Sequence, residues 1–187
     1  LFGNDLILYE EPQVVNFDGL DIALLPWVNK ENYDESLDFI KTAAAPILIG
    51  HLELEGYDVM RGVKHYGGMN FKLFDRYEKV FSGHFHHRQE KENIYYMGTQ
   101  YQITFADLSE TKGFHIFDTN TREIEFIENP YKMFYTLSYN DESGPIDIDD
   151  FDCNYLVGSY IKLLVDHKEH SYSFERFMDK LYDCGVA

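Results

Sequence analysis

Val80-Phe81-Ser82-Gly83-His84-Phe85-His86-His87-Arg88 decides how the chain is read, because an apolar run there breaks at glycine and then offers three imidazoles. Near neutral pH a histidine presents an unprotonated ring nitrogen, which makes it the commonest metal ligand among side chains. On an extended backbone, positions i and i+2 share a side, so His84 and His86 are expected to point together and His87 away. Gly83 frees the backbone to turn as the strand leaves its sheet. The same grammar occurs upstream in Pro46-Ile47-Leu48-Ile49-Gly50-His51. Sites in open α/β sheets gather at the carboxyl ends of strands, so two neighbouring strands ending in Gly-His would bring His51, His84 and His86 together as metal ligands. A single Gly-His is usually only a turn, and it is the pairing with Gly-His-x-His that raises these three above the rest. His115 sits in strand-like sequence, and His65, His167 and His170 in polar or loop-like sequence, where a solvated or hydrogen-bonded ring suffices.

Outward from this centre, Leu6 to Tyr9, Gln13 to Phe17 and Leu20 to Leu25 read as short strands, with Asp18-Gly19 as a turn and Pro26 as the stop. Trp27 is the only tryptophan; core or strand-end packing is expected of it rather than a binding platform. Asn29 or Asn32 can cap a helix with Tyr33, Leu37, Ile40 and Ala44 on its apolar side, which Pro46 ends. A strand, helix, strand order favours an α/β layer. Glycines 56, 62, 67 and 68 mark a loop-rich stretch before a short helical piece starting at Asn70. Glu53 and Glu55 could support His51, although exposed loop carboxylates are the simpler reading. Asn93 to Met97 is a further strand, and Gly113 to Asp118 pairs with Arg122 to Ile127 as a hairpin.

A boundary near Asn129-Pro130 divides the chain into residues 1–130 and 131–187. The second part opens on an aromatic strand, Tyr131 to Tyr139. An acidic linker with Asp141, Asp147, Asp149, Asp150 and Asp152 follows; its spacing lacks the glycine and terminal glutamate of an EF-hand. Then come a strand, Tyr160 to Val165, and a helix capped by Ser173, with Phe174, Phe177, Met178 and Leu181 at core spacing and Gly185 to end it.

The 187 residues are 44% hydrophobic and 17% aromatic, which suits a packed chain of one domain or one and part of another. Thirty-three acidic against 16 basic residues give a formal charge of -17, a field that repels nucleic acid at long range. Lys64, His65, Arg88 and Lys91 are candidates for a local basic patch. Cys153 and Cys184 are too few for a disulfide framework or a cysteine-rich zinc site and are expected as free thiols in a reducing compartment. No apolar run approaches a membrane span and no signal-like start is present, so the expected location is the cytoplasm.

Gly50-His51 and Gly83-His84-Phe85-His86, followed by Tyr96 to Phe105 and by Lys112-Gly113-Phe114, resemble the later part of calcineurin-like metallophosphoesterases. Within that superfamily the chain is most similar to SbcD-type DNA repair and recombination nucleases, including the nuclease subunits of T-even-like bacteriophages. The resemblance is clear from Leu24 to Phe117. It implies an α/β fold: the C-terminal half of a four-layer α/β/β/α sandwich, then part of an α+β capping domain. It assigns His51 and His84 to one metal and His86 to its neighbour, in a site where two divalent ions, manganese in type, activate water against a phosphodiester. DNA, an SbcC-like SMC-type ATPase and a second copy, paired through the missing N-terminal half, are the implied partners, in a host cytoplasm if phage-encoded. The family's Asp-x-His, Gly-Asp-x-x-Asp and Gly-Asn-His-Asp/Glu motifs are not found here; Gly3-Asn4-Asp5 lacks the imidazole, and the chain starts at Leu1. A fragment is therefore expected, inactive as a nuclease and weak in metal binding. Two other readings stand beside it. One is a different calcineurin-like phosphoesterase, against which Tyr96 to Phe105 and the added cap argue; the other is a non-catalytic module docking through its acidic surface.

Overall fold

Asp18 and Gly19 both adopt positive φ, 49° and 86°, the backbone that a two-residue hairpin requires. β1 (Gln13–Phe17) thereby folds back antiparallel on β2 (Leu20–Leu25). The computed structural model describes residues 7–149 and 151–187. The strand expected over Leu6 to Tyr9 is not formed by residues 7–9, and Leu6 lies outside the described residues. The chain divides into two units, residues 1–100 with 111–129 and residues 101–110 with 130–187.

In the first unit, β2 leads through helix α1 (Tyr33–Thr42) to β3 (Ile47–Gly50). A small hairpin, β4 (Asp58–Met60) with β5 (Val63–Lys64), and a 3-10 turn at Phe71–Phe74 precede β6 (Lys79–Ser82); β7 (Gln89–Lys91) and β8 (Ile94–Tyr96) follow. The six-stranded sheet has the order β1-β2-β3-β6-β8-β7. Its four central strands run parallel and only the edge strands run against them. Parallel strands covered on both faces read as continuous apolar runs, which is why Val80, Phe81 and Ser82 are all buried.

One face packs Ala23, Leu48, Val80 and Ile94 against Ile40 and Ala43. The other packs Ile22, Ile47 and Phe81 toward Phe117 and Ile124, which belong to the antiparallel hairpin of β9 (Gly113–Phe117) and β10 (Ile124–Glu128). The helix differs in detail from its expectation. It stops at Thr42, and its buried residues are Ser36 and Ile40, with Ala43 just beyond it buried and Ala44 exposed. The backbone has already left the helix at Ala43, φ -55° and ψ 126°, so Ala44 lies beyond the helix and outside its inward face.

In the second unit, β11 (Phe134–Asn140) and β12 (Tyr160–His167) pair in parallel, and α2 (Ser171–Asp183) supplies Phe177 and Leu181 to a core with Tyr139, Ile148 and Leu156. Residues 101–110, expected on the other side of the boundary, join this unit. Gln102 Oε1 accepts the Met133 and Phe134 N–H groups at 3.0 and 3.1 Å, and Phe105 packs on Phe134.

Three expectations are corrected in this unit. The stretch from Asn140 to Asp152 is not a linker, since Ile146, Ile148 and Phe151 enter the core. Ser173 is not the cap of α2; its hydroxyl accepts the Ile146 N–H, and His170 stands at the cap position. Cys153 and Cys184 are not free but joined in a disulfide across a sequence separation of 31, their Cα atoms 6.1 Å apart. Gly185 does close α2, at φ 76°.

Asp141, which is fully buried, ties down the two residues that lead into α2. Its carboxylate accepts the Glu169 and His170 N–H groups at 2.7 and 2.9 Å and the Tyr139 hydroxyl at 2.9 Å. Burial alone would push this carboxyl up, but the three donors outweigh it and hold it below the usual carboxylate range. A folded value below the unfolded one, about 4, means that the ionised form stabilises the fold at every pH above that value. The contribution is lost as pH falls through the folded value. Asp141→Ala is expected to lower Tm by roughly 5–10 °C at pH 7, a gap that thermal melts should see narrow as the pH falls below about 4 without closing, because alanine leaves the three donors unpartnered at every pH.

Candidate metal centre

Because β3 and β6 are parallel neighbours in register at Gly50 and Ser82, the residues that follow them emerge side by side. The Gly83 N–H donates to the Gly50 carbonyl at 3.2 Å, which carries the pairing one step past the strands. A Cβ on Gly83 would lie 2.7 Å from His51 Nδ1; this position is glycine because the imidazole of His51 lies over it. His84 then adopts φ 79° while the Phe85 N–H reaches back to the Gly83 carbonyl at 3.2 Å. That is a γ-turn of the rare positive-φ kind, a strain that persists only where the surroundings enforce it.

The turn decides which histidines meet. His51 and His84 stand with ring centres 5.2 Å apart and planes at 85°. Two imidazoles sharing one ion at about 2.1 Å per nitrogen would place their centres roughly 5 Å apart, so the pair is spaced as co-ligands would be. His86 is exposed and does not line the notch that His51 and His84 line. The shared direction expected of His84 and His86 requires extended backbone, and the γ-turn at His84 removes it. Among the described residues no group of three or more His, Cys, Asp or Glu side chains is arranged to hold a metal ion. His86 remains near enough to act on His51, whose ring is held below the usual histidine value by burial first and then by the charges of His84 and His86. The neutral ring so favoured is the form that binds metal.

Leu52, next to His51, is gripped from both sides. Its N–H donates to the Ser82 hydroxyl at 3.0 Å, and its carbonyl accepts the Tyr96 hydroxyl at 2.9 Å. Ser82 and Tyr96 are buried at the ends of β6 and β8, so the parallel strands fix the backbone that presents His51.

Of the two places expected for Trp27, the core and a strand end, the structure gives the second. It follows the end of β2, is 62% exposed and stacks on His51 at 5.1 Å with an interplanar angle of 24°. With Val28, Tyr33, Glu53, Gly68 and Met69 it completes a notch of about 270 Å³ around the two imidazoles. The sequence held a signal for it: three adjacent strands each deliver an aromatic or imidazole side chain within two residues of their carboxyl ends.

Glu53 is more than a solvated carboxylate, since Oε1 lies 2.8 Å from His65 Nε2. Gly68 backs this pair at φ 83°, and a Cβ there would fall 2.2 Å from the Glu53 carbonyl oxygen. Positive φ alone costs a residue with a side chain about 1–2 kcal/mol, and the clash adds to it. Gly68→Ala is expected to lower unfolding free energy by at least about 2 kcal/mol, read from the urea midpoint at unchanged slope. The four basic-patch candidates do not act as one patch. Lys64 pairs with Asp58, His65 with Glu53, Arg88 lies over Phe126 and Lys91 over Phe71.

No family profile matches the chain. It is 39% identical over 144 residues, 77% of its length, to exonuclease subunit 1 of Enterobacteria phage T4. A phage nuclease subunit is thus a relative. The match spans 42% of that relative's length.

Proposed function

We propose that this chain carries part of the phosphodiesterase centre of a DNA exonuclease subunit of the SbcD type, built as the later half of a four-layer α/β/β/α sandwich with the start of a capping domain. The observation that carries the reading is the meeting of His51 and His84 at the ends of adjacent parallel strands, at a spacing suited to one ion. The relationship to a phage exonuclease subunit supports DNA as the substrate and a multi-subunit assembly as the working form; an SbcC-like ATPase and a second copy are the proposed partners, in the host cytoplasm. No helix among the described residues is long and apolar enough to cross a membrane.

His51 and His84 would hold one divalent ion, manganese in type, and His86 would reach a second. Such ions supply Lewis acidity and a water that ionises near neutral pH. Ser82, Tyr96 and Gly83 fix the position of His51, and partial desolvation with the neighbouring His84 and His86 lowers its pKa, which favours the neutral ring. The chain's net charge of -17 repels DNA, which places the burden of phosphate contact on bound cations. Two or three imidazoles leave either coordination shell short, so the chain by itself is expected to bind manganese weakly and to leave linear DNA intact. Manganese titration followed by electron paramagnetic resonance tests this. Binding that vanishes in His51→Ala and His84→Ala supports the reading, and binding unchanged in both, or DNA digestion by the chain itself, removes it.

A further inference from the structure

Trp27 is open to solvent over most of its surface, yet it is not loosely held. One side rests on the His51 ring, and its carbonyl accepts the Asn32 side-chain amide at 2.9 Å. The loop behind it is tied by Asn29, whose carboxamide oxygen accepts the Glu31 and Asn32 N–H groups, and by Asn32, whose oxygen accepts the Asn29 N–H. Asn32 does stand at the cap position of α1, but the side chains of both asparagines are spent on shaping this loop. Other aromatic rings of the chain are as exposed, Tyr66 and Tyr172 among them, but neither lines the imidazole notch.

The notch is divided in character. Trp27, Val28, Tyr33 and Met69 give it an aromatic and apolar wall, and its ionisable groups are His51, His84 and Glu53. A nucleotide has the same division, a flat π face beside an anion. The volume of about 270 Å³ has room for one ring system with its sugar and not for a base pair. The Glu53 carboxylate would repel phosphate and suits an exocyclic amino group, which orients a ligand with its phosphate toward the imidazoles and its base toward Trp27.

We propose that Trp27 is a stacking platform for the base of the nucleotide whose phosphate is held at His51 and His84. The phosphate half rests on the phosphodiesterase reading above; the base half rests on the tryptophan. Stacking on a side chain tolerates every base because each has a π face, and it changes affinity by roughly tenfold to a hundredfold.

As the only tryptophan in the chain, Trp27 reports on itself. The chain is titrated in manganese with deoxyadenosine monophosphate and with deoxyribose 5-phosphate, following tryptophan emission and, by calorimetry, binding. The nucleotide is expected to quench emission saturably and to bind about tenfold or more tighter than the sugar phosphate. Trp27→Leu should bind both alike, with Trp27→Phe between. A nucleotide that binds no tighter than the sugar phosphate, or a Trp27→Leu chain that keeps the preference, overturns the platform. The phosphate half fails separately: sugar phosphate binding that ignores manganese counts against the metal reading, while quenching by the nucleotide would still support Trp27.

Discussion

On the phosphodiesterase reading proposed above, alanine in place of His84 is expected to lower manganese-dependent hydrolysis of linear DNA by the full-length protein by at least about 10²-fold, since even a residue that only orients a metal ligand costs 10–100-fold. Gly83→Ala should produce a loss of similar order with every imidazole still present. Its Cβ would come 2.7 Å from His51 Nδ1, and the ring must leave its place beside His84. Gly83 itself has no positive φ, so the added methyl acts on the ring rather than through backbone strain. The pair of variants therefore separates loss of a ligand from loss of its geometry. Both should keep a wild-type circular dichroism spectrum and fall together in activity and in manganese affinity. Full activity in His84→Ala would remove the metal role of the pair, and full activity in Gly83→Ala would show that the position of His51 does not matter.

Reduction of the Cys153–Cys184 bridge is expected to destabilise the second unit by about 3.7 kcal/mol, the loop-closure entropy of a 31-residue separation. Burial fixes where the loss is felt. Cys153 is in the core with Leu156, Phe177 and Leu181, while Cys184 stands at the C-terminal cap of α2, just before Gly185, so opening the bridge frees the helix end from the turn at Asn154–Leu156. Cys153→Ser should show the same loss and add the cost of a buried hydroxyl. Chemical denaturation with and without reductant, with Cys184→Ala as the third arm, measures it. Coincident unfolding curves in the two conditions would show that the core holds the helix without the bridge.

These two effects lie at opposite ends of what could be read beforehand. His51 and His84 were legible because Gly-His after a buried run is a local pattern, and strand ends are local features. The bridge was not, because two cysteines so far apart in sequence say nothing of their distance in space. Asp141 was lost for the same reason. In sequence it is one of several carboxylates in an acidic stretch, and only the fold brings the Glu169 and His170 amides to it. Hairpin turns at Asp18-Gly19 and after Asp118 were readable because Asp and Gly impose backbone geometry on themselves.

What the residues alone determined is thus most of the strands, β4, β5 and β7 excepted, with the turn at Asp18-Gly19 and the two glycine-histidine termini, each a consequence of conformational preference within a few positions. Only the tertiary structure decided that His84 turns toward His51 while His86 stays outside, that Trp27 stands in the notch, and that Asp141 and the cysteines lie inside. Those outcomes depend on strand order and on a single γ-turn whose strain is borne by long-range packing, and no span of adjacent residues encodes that balance.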